Sequence, residues 1–144
     1  MTIRETGIEG LFILEPKVYT DARGSFQESY HRQRFHELGI EMDFVQDNQS
    51  HSVYGVVRGL HFQRPPHQQT KLVRVTSGTV YDVAVDIRPS SSTYGKWFGI
   101  ELSGENHLQL LVPGGFAHGF SVLSAEATVF YKCGTYYHPD SESG

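Results

Sequence analysis

The sequence predicts an all-β domain of barrel or sandwich type with one short helix near the N-terminus. Past Gln46 the chain breaks into short runs rich in Val, Ile, Phe and Tyr, punctuated by Gly, Pro, Ser and Asn. Several of these runs alternate apolar and polar side chains at a period of two. No helical pattern separates one run from the next, which excludes a doubly wound α/β fold. Evenly spaced short strands fit a jelly roll and an up-and-down barrel alike.

The helix is predicted over residues 31–38, where Phe35 and Leu38 stand three apart and Gly39 supplies a stop. Strands follow. Residues 56–62 form the first, and 71–76 the second, with Val73 and Val75 alternating against Arg74. Ser77-Gly78 is a turn. Residues 79–87 set Tyr81, Val83, Val85 and Ile87 against Asp82 and Asp86. Pro89 to Gly95 is a loop. Residues 96–102 and 107–112 are strands joined by Ser103-Gly104-Glu105-Asn106, and Pro113-Gly114-Gly115 is a sharp turn. Residues 116–123 and 127–133 complete the series.

Composition narrows the function classes. A chain of 144 residues is one domain by size. It can bury roughly 68–70% of its unfolded surface, so it needs no staples. Twelve Lys and Arg against 16 Asp and Glu give a net charge of -4, a poor match for nucleic acid or an anionic membrane. No apolar run is long enough to span a bilayer, and the first residues carry no signal pattern. The single cysteine, Cys133, leaves no internal disulfide and fits a reducing, cytoplasmic compartment. Hydrophobic residues at 38% with 9 Phe and 8 Tyr exclude disorder. Eight His and 15 Gly are the unusual counts.

Polar residues inside apolar strands are the candidates for chemistry. Parity in residues 57–63 puts His61 on one face and Arg58 on the other. The two can share a pocket only through a bulge, for which Gly59 is the natural place. On this segment alone a satisfied core histidine and a functional one are equally supported. Lys71 shares parity with Val73 and Val75 and so begins its strand facing inward; by itself it reads as a lysine snorkelling from a strand end. His118 shares a face with Phe116, Phe120 and Val122, and a buried imidazole demands partners. Tyr131, taken singly, packs with its hydroxyl bonded. Together, these four residues stand on different strands of one barrel, and inward residues converge on one lumen. A base, a cation, a phenol and a second imidazole in one cavity make a catalytic set.

Gly55-x5-His61-x-Gln63 and Pro113-Gly114-x3-His118 resemble the two motifs of the cupin superfamily, a small jelly-roll barrel. Metal-binding cupins supply His-x-His and Glu in the first motif. Here Gln63 replaces the second histidine, and two imidazoles without a third strong ligand make a poor metal site, which is therefore read as metal-free.

A closer resemblance spans nearly the whole chain. Seven blocks carry it: Asp21-Ala-Arg-Gly-Ser-Phe-Gln-Glu-Ser-Tyr30, Phe44-Val-Gln-Asp-Asn48, Arg58-Gly-Leu-His-Phe-Gln63, Lys71-Leu-Val-Arg74, Asp82-Val-Ala-Val-Asp-Ile-Arg88, Pro113-Gly-Gly-Phe-Ala-His-Gly-Phe120 and Tyr131-Lys132. These resemble the dTDP-4-dehydrorhamnose 3,5-epimerase family. The resemblance implies a cupin-type jelly roll and a cofactor-independent epimerase acting on a dTDP-4-keto-6-deoxyhexose. By position, His61 matches the family's base, Tyr131 its proton donor and Lys71 the lysine near the sugar ketone. Arg23, Glu28, Gln46, Asn48, Arg58 and His118 match nucleotide-sugar contacts. Tyr137 matches the aromatic that stacks on thymine, and Glu142 a further ligand contact. Phe26 matches a residue lent by a neighbouring subunit, in a homodimer with exchanged N-terminal strands. Ser25 replaces a bulkier aromatic.

The resemblance also implies a longer chain. Members usually continue well past the Tyr136-Tyr137-x-Pro139 segment, so residues 1–144 read as one epimerase domain lacking the C-terminal part. That part supplies an aspartate orienting the catalytic histidine, and Asp82 and Asp86 are replacements by residue type alone. Three other readings compete: a mono-epimerase acting at C3 or C5 only, a metal-dependent cupin using His61 and His118, and a catalytically silent sugar-nucleotide-binding barrel. Retention of His61, Lys71 and Tyr131 together speaks against the last.

Overall fold

The computed structural model describes residues 1–144. Thirteen strands are present: β1 (Thr2–Glu5), β2 (Phe12–Glu15), β3 (Val18–Asp21), β4 (Gly24–Gln27), β5 (Gln46–Val53), β6 (Val57–Gln63), β7 (Lys71–Ser77), β8 (Thr79–Asp86), β9 (Trp97–Ser103), β10 (Gln109–Val112), β11 (Phe116–Val122), β12 (Glu126–Cys133) and β13 (Glu142–Ser143). One α-helix, α1 (Arg32–Glu37), and a 3₁₀ turn at Pro139–Ser141 complete the chain.

The strands form a two-sheet antiparallel jelly roll. A six-stranded sheet runs β1-β2-β10-β7-β12-β5, and a five-stranded sheet runs β13-β6-β11-β8-β9. The hairpin β3-β4 pairs only with itself. Between the sheets lies the main core, which includes Val73, Val75, Val80, Leu110, Phe120 and Val129. A second cluster, Leu14, Phe35, Ile40, Leu72 and Leu111, packs α1 on the outer face of the six-stranded sheet. The helix is short because only Phe35 anchors it. That ring is 1% exposed, and burying it contributes about 1.5–3 kcal/mol. His31 caps the N-terminus by accepting from the Arg34 N–H, and Gly39 ends the helix with φ 88°.

The predicted strands from β6 onward lie within one or two residues of the observed ones. The largest shift is at β10, predicted from His107 but beginning at Gln109. The Asn106 carboxamide oxygen accepts from the N–H groups of Ser103 and Leu108, and His107 takes φ 59°, so the turn claims those residues. Individual strands before residue 56 had no predicted counterpart: β1 to β4 have four residues each, and β5 reads Gln-Asp-Asn-Gln-Ser-His-Ser-Val, low in β propensity.

Strand β8 reverses the simple hydrophobic rule. Its period of two holds, but Val80, Asp82, Ala84 and Asp86 are the fully buried set, while Tyr81 is exposed. Asp86 is satisfied by Arg88, Ser91 and Thr93, whose hydrogen bonds hold its carboxyl well below the usual carboxylate range. No helix is long and apolar enough to cross a membrane.

Candidate active site

Four strands each turn one polar side chain toward a shared cavity. Their registers follow from the pairing. His118 of β11 lies directly opposite His61 of β6, so both imidazoles face the same side of the five-stranded sheet. From the opposing sheet come Lys71, the first residue of β7, and Tyr131 of β12, which pairs with Val73. The Lys71 amine is 5.5 Å from the Tyr131 ring centroid. These four residues line a cavity of about 500 Å³, together with Ser50, Arg58 and Phe120, and a smaller adjoining lobe with Asn48, Tyr137 and Glu142.

The bulge anticipated at Gly59 is present. Between the pairs His118↔His61 and Phe120↔Arg58, β11 spends one residue and β6 spends two. Gly59 holds φ 101°, and a Cβ there would lie 2.6 Å from the His118 carbonyl oxygen. The extra residue cancels the parity that would separate Arg58 from His61, and both line the cavity. Arg58 Nε donates to Ser52 Oγ at 2.9 Å, which fixes the guanidinium plane and leaves its terminal nitrogens unpaired.

His118 is held by a carboxylate. Its Nε2 lies 2.8 and 3.0 Å from the two oxygens of Asp82, a residue with no exposed surface. A buried carboxylate needs such a partner. Lys71 is pushed below the ordinary lysine range, first by burial; Cys133, Asp82 and Glu142 oppose that shift. A positive charge is therefore held where water stabilises it poorly.

Beyond the barrel mouth, residues 134–143 fold back over it. The Tyr137 hydroxyl donates to the Glu142 carboxylate, a bond that raises the phenol's pKa, and the Tyr137 N–H donates to Gln46 at 3.0 Å. The other Glu142 oxygen stands 3.7 Å from His61 Nδ1. Gln46 also donates to Asn48 at 3.0 Å. Gln63 pins this segment, donating to the His67 carbonyl and accepting from the His138 N–H.

The expected site residues thus divide. His61, Lys71, Tyr131, His118, Arg58, Asn48, Tyr137 and Glu142 meet around one cavity, with Gln46 directly behind. Arg23, Phe26 and Glu28 do not. Arg23 is bound to Asp21 at 2.6 Å and Glu28 to Arg34 at 2.7 Å, and Phe26 is 69% exposed on the free hairpin. Neither aspartate suggested as the acid behind His61 serves it: Asp82 holds His118, and Asp86 holds Arg88. Both sit on the buried face of β8, but at registers opposite other residues. Glu142 is the acid placed against His61.

Ser52, which sequence reasoning did not name, and Asp82, which it named only as a stand-in acid behind His61, are the supporting residues. The signal for Asp82 was a carboxylate between Val80 and Ala84 on one strand face; for Ser52 it was a polar stripe on alternate residues of β5. No cluster of three or more His, Cys, Asp or Glu side chains could hold a metal ion. With Asp82 engaging His118 Nε2, the two imidazoles of the cupin motifs do not form a ligand set.

A profile of the family described as dTDP-4-dehydrorhamnose 3,5-epimerase matches residues 5–144. The Escherichia coli dTDP-4-dehydrorhamnose 3,5-epimerase is 54% identical over 145 residues, covering 100% of this chain and 78% of the relative. The Legionella pneumophila dTDP-6-deoxy-D-glucose-3,5-epimerase, solved in complex with dTDP-4-keto-L-rhamnose, superposes with a TM-score of 0.94 at 56% identity, covering 98% of this chain and 75% of that one. A more distant relative, the Streptomyces niveus dTDP-4-dehydrorhamnose 3-epimerase, is 41% identical over 145 residues, covering 100% of this chain and 70% of the relative. A matched profile over nearly every residue, an alignment spanning the whole chain at this identity and a closely superposing backbone lead to one conclusion: the chain belongs to the dTDP-4-dehydrorhamnose 3,5-epimerase family.

Proposed function

We propose that this protein epimerises dTDP-4-dehydro-6-deoxy-D-glucose at C3 and C5, giving dTDP-4-dehydro-L-rhamnose for deoxysugar nucleotide biosynthesis. The convergence of His61, Lys71, His118 and Tyr131 on one cavity carries the reading. Hydrogens at C3 and C5 are alpha to the C4 ketone and therefore weakly acidic. His61 removes one; imidazole is suited to this near neutral pH, and a positioned base supplies roughly 10²–10⁴-fold. Lys71 stabilises the negative charge that develops on the C4 oxygen, a role worth about 2.7–4 kcal/mol. Tyr131, on the opposing sheet, returns a proton from the other side. No electrons are gained or lost, so the reaction needs no redox cofactor.

The remaining contacts divide along the substrate. Arg58 binds the diphosphate through the donors that Ser52 leaves free. Tyr137 stacks on thymine, with Glu142 holding its hydroxyl and Gln46 its backbone. Asn48 and His118 contact the sugar nucleotide within the cavity. Arg23, Phe26 and Glu28 serve a partner's site in a homodimer. A hairpin that joins neither sheet, with Tyr19 and Phe26 exposed, and the open edges β1 and β5 of the six-stranded sheet support an exchange of N-terminal strands. The protein acts as a single epimerase domain in the cytoplasm.

Solvent deuterium tests the reaction. The protein, folded and dimeric, is expected to wash deuterium into C3 and C5 of the 4-keto sugar. No exchange at either carbon defeats the epimerase reading. His61→Asn should abolish exchange, and Tyr131→Phe should lower kcat far more than it raises KM. The Streptomyces niveus relative supports a second reading, epimerisation at C3 alone. Deuterium confined to one carbon, with a singly inverted product by NMR, would select it.

A further inference from the structure

Strand β5 turns alternate side chains toward the barrel lumen, and all four are polar: Gln46, Asn48, Ser50 and Ser52. Gln46 bonds Asn48 and the Tyr137 backbone, and Ser52 accepts from Arg58. Ser50 is different. Its hydroxyl oxygen is buried and has no hydrogen-bond partner. The residue pairs with Val129 on β12, two positions from Tyr131 on the same face, and it lines the cavity beside Arg58. A buried polar atom without a partner is uncommon and destabilising, and it calls for an explanation. An apolar side chain would suit a purely structural position next to Val129 better.

We propose that Ser50 is a further substrate-binding residue, its hydroxyl donating to the diphosphate held by Arg58. The inference rests on the sugar-nucleotide reading above. Ser52 and Ser50 stand two residues apart on one strand face, about 6.8 Å along the strand. Arg58 and Ser50 line the same cavity, so an anion on the free guanidinium nitrogens there would sit in the space that Ser50 also walls. Ser52 is then a positioning residue acting through Arg58, while Ser50 meets the ligand directly. An anionic oxygen is a better acceptor than a neutral one, which suits a lone hydroxyl donor.

Calorimetric binding to the whole protein tests this, with dTDP and thymidine as probes. Ser50→Ala is expected to weaken dTDP roughly tenfold or more, the cost of losing a hydrogen bond to a charged group, and to leave thymidine unchanged. Ser50→Thr, which keeps the hydroxyl, is expected to retain most of the dTDP affinity. The Tm of Ser50→Ala without ligand should hold or rise, because a hydroxyl without a partner has been removed. If wild type binds dTDP and Ser50→Ala binds it within about twofold, the Ser50 assignment is wrong and the epimerase reading stands. Equal weakening of dTDP and thymidine would also overturn it, since the phosphate would not be the group contacted. If wild type binds neither probe, the sugar-nucleotide reading itself fails, and the Ser50 assignment with it.

Discussion

Replacing His118 with alanine removes the hydrogen-bond partner of a carboxylate that has no access to water. Asp82 is 0% exposed and His118 7%, and the imidazole meets both carboxylate oxygens at 2.8 and 3.0 Å. Breaking a buried pair from one side costs about 3–5 kcal/mol, because the remaining charge is left uncompensated. Asp82→Ala strands only a ring nitrogen and should cost less, about 1–3 kcal/mol for the lost bond. The double variant strands neither group, so its loss should fall short of the summed single losses by about 0.5–3 kcal/mol. In a domain of this size, 3–5 kcal/mol lowers Tm by roughly 6–20 °C. Urea unfolding of the four proteins at neutral pH measures every term. Strictly additive losses, or a His118→Ala protein as stable as wild type, would refute the view that the pair is satisfied only as a pair.

Three more outcomes follow from the same geometry. Burial depresses Lys71, so folding works against its charged form below the folded pKa, and that penalty fades as pH rises toward the unfolded value; Lys71→Met should therefore raise Tm at neutral pH while abolishing turnover, and a lower Tm would contradict the argument. Gly59→Ala places a Cβ 2.6 Å from the His118 carbonyl oxygen at φ 101°, so thermal unfolding should show a loss of at least about 1–3 kcal/mol from strain alone, together with weaker dTDP binding as Arg58 shifts. Asp86 is held well below the usual carboxylate range, chiefly by Arg88, so its stabilisation is complete above the unfolded pKa of about 3.9 and is lost as pH falls through the folded value; an acid titration of stability should flatten in that window for Asp86→Asn relative to wild type.

The strands were legible where apolar and polar residues alternate, as in β7 and β12, and illegible where they do not. β5 is a polar strand because it walls the cavity, so its inward residues meet polar partners and open space instead of apolar core. Four-residue strands such as β1 and β2 are held by their neighbours' ladders, and a local window contains no trace of those neighbours. The candidate site residues were readable as motifs, and the bulge at Gly59 was required only on the condition that Arg58 and His61 share a pocket, which parity alone denies. Their support was not: Ser52 reaches Arg58 across six residues and a turn, and Asp82 reaches His118 across 36.

By itself the sequence determined that this is a β domain whose strands carry two imidazoles, a lysine and a tyrosine at inward positions, because strand period and residue type are local properties. It determined family membership too, since seven ordered blocks are a property of the chain. Only the tertiary structure decided which face of β8 is buried, which acid meets which histidine, and that Arg23, Phe26 and Glu28 stand away from their own chain's cavity. Those facts depend on register between strands and on which sheet lies opposite. A period of two assigns residues to two faces, and only packing against another sheet distinguishes the inner face from the outer.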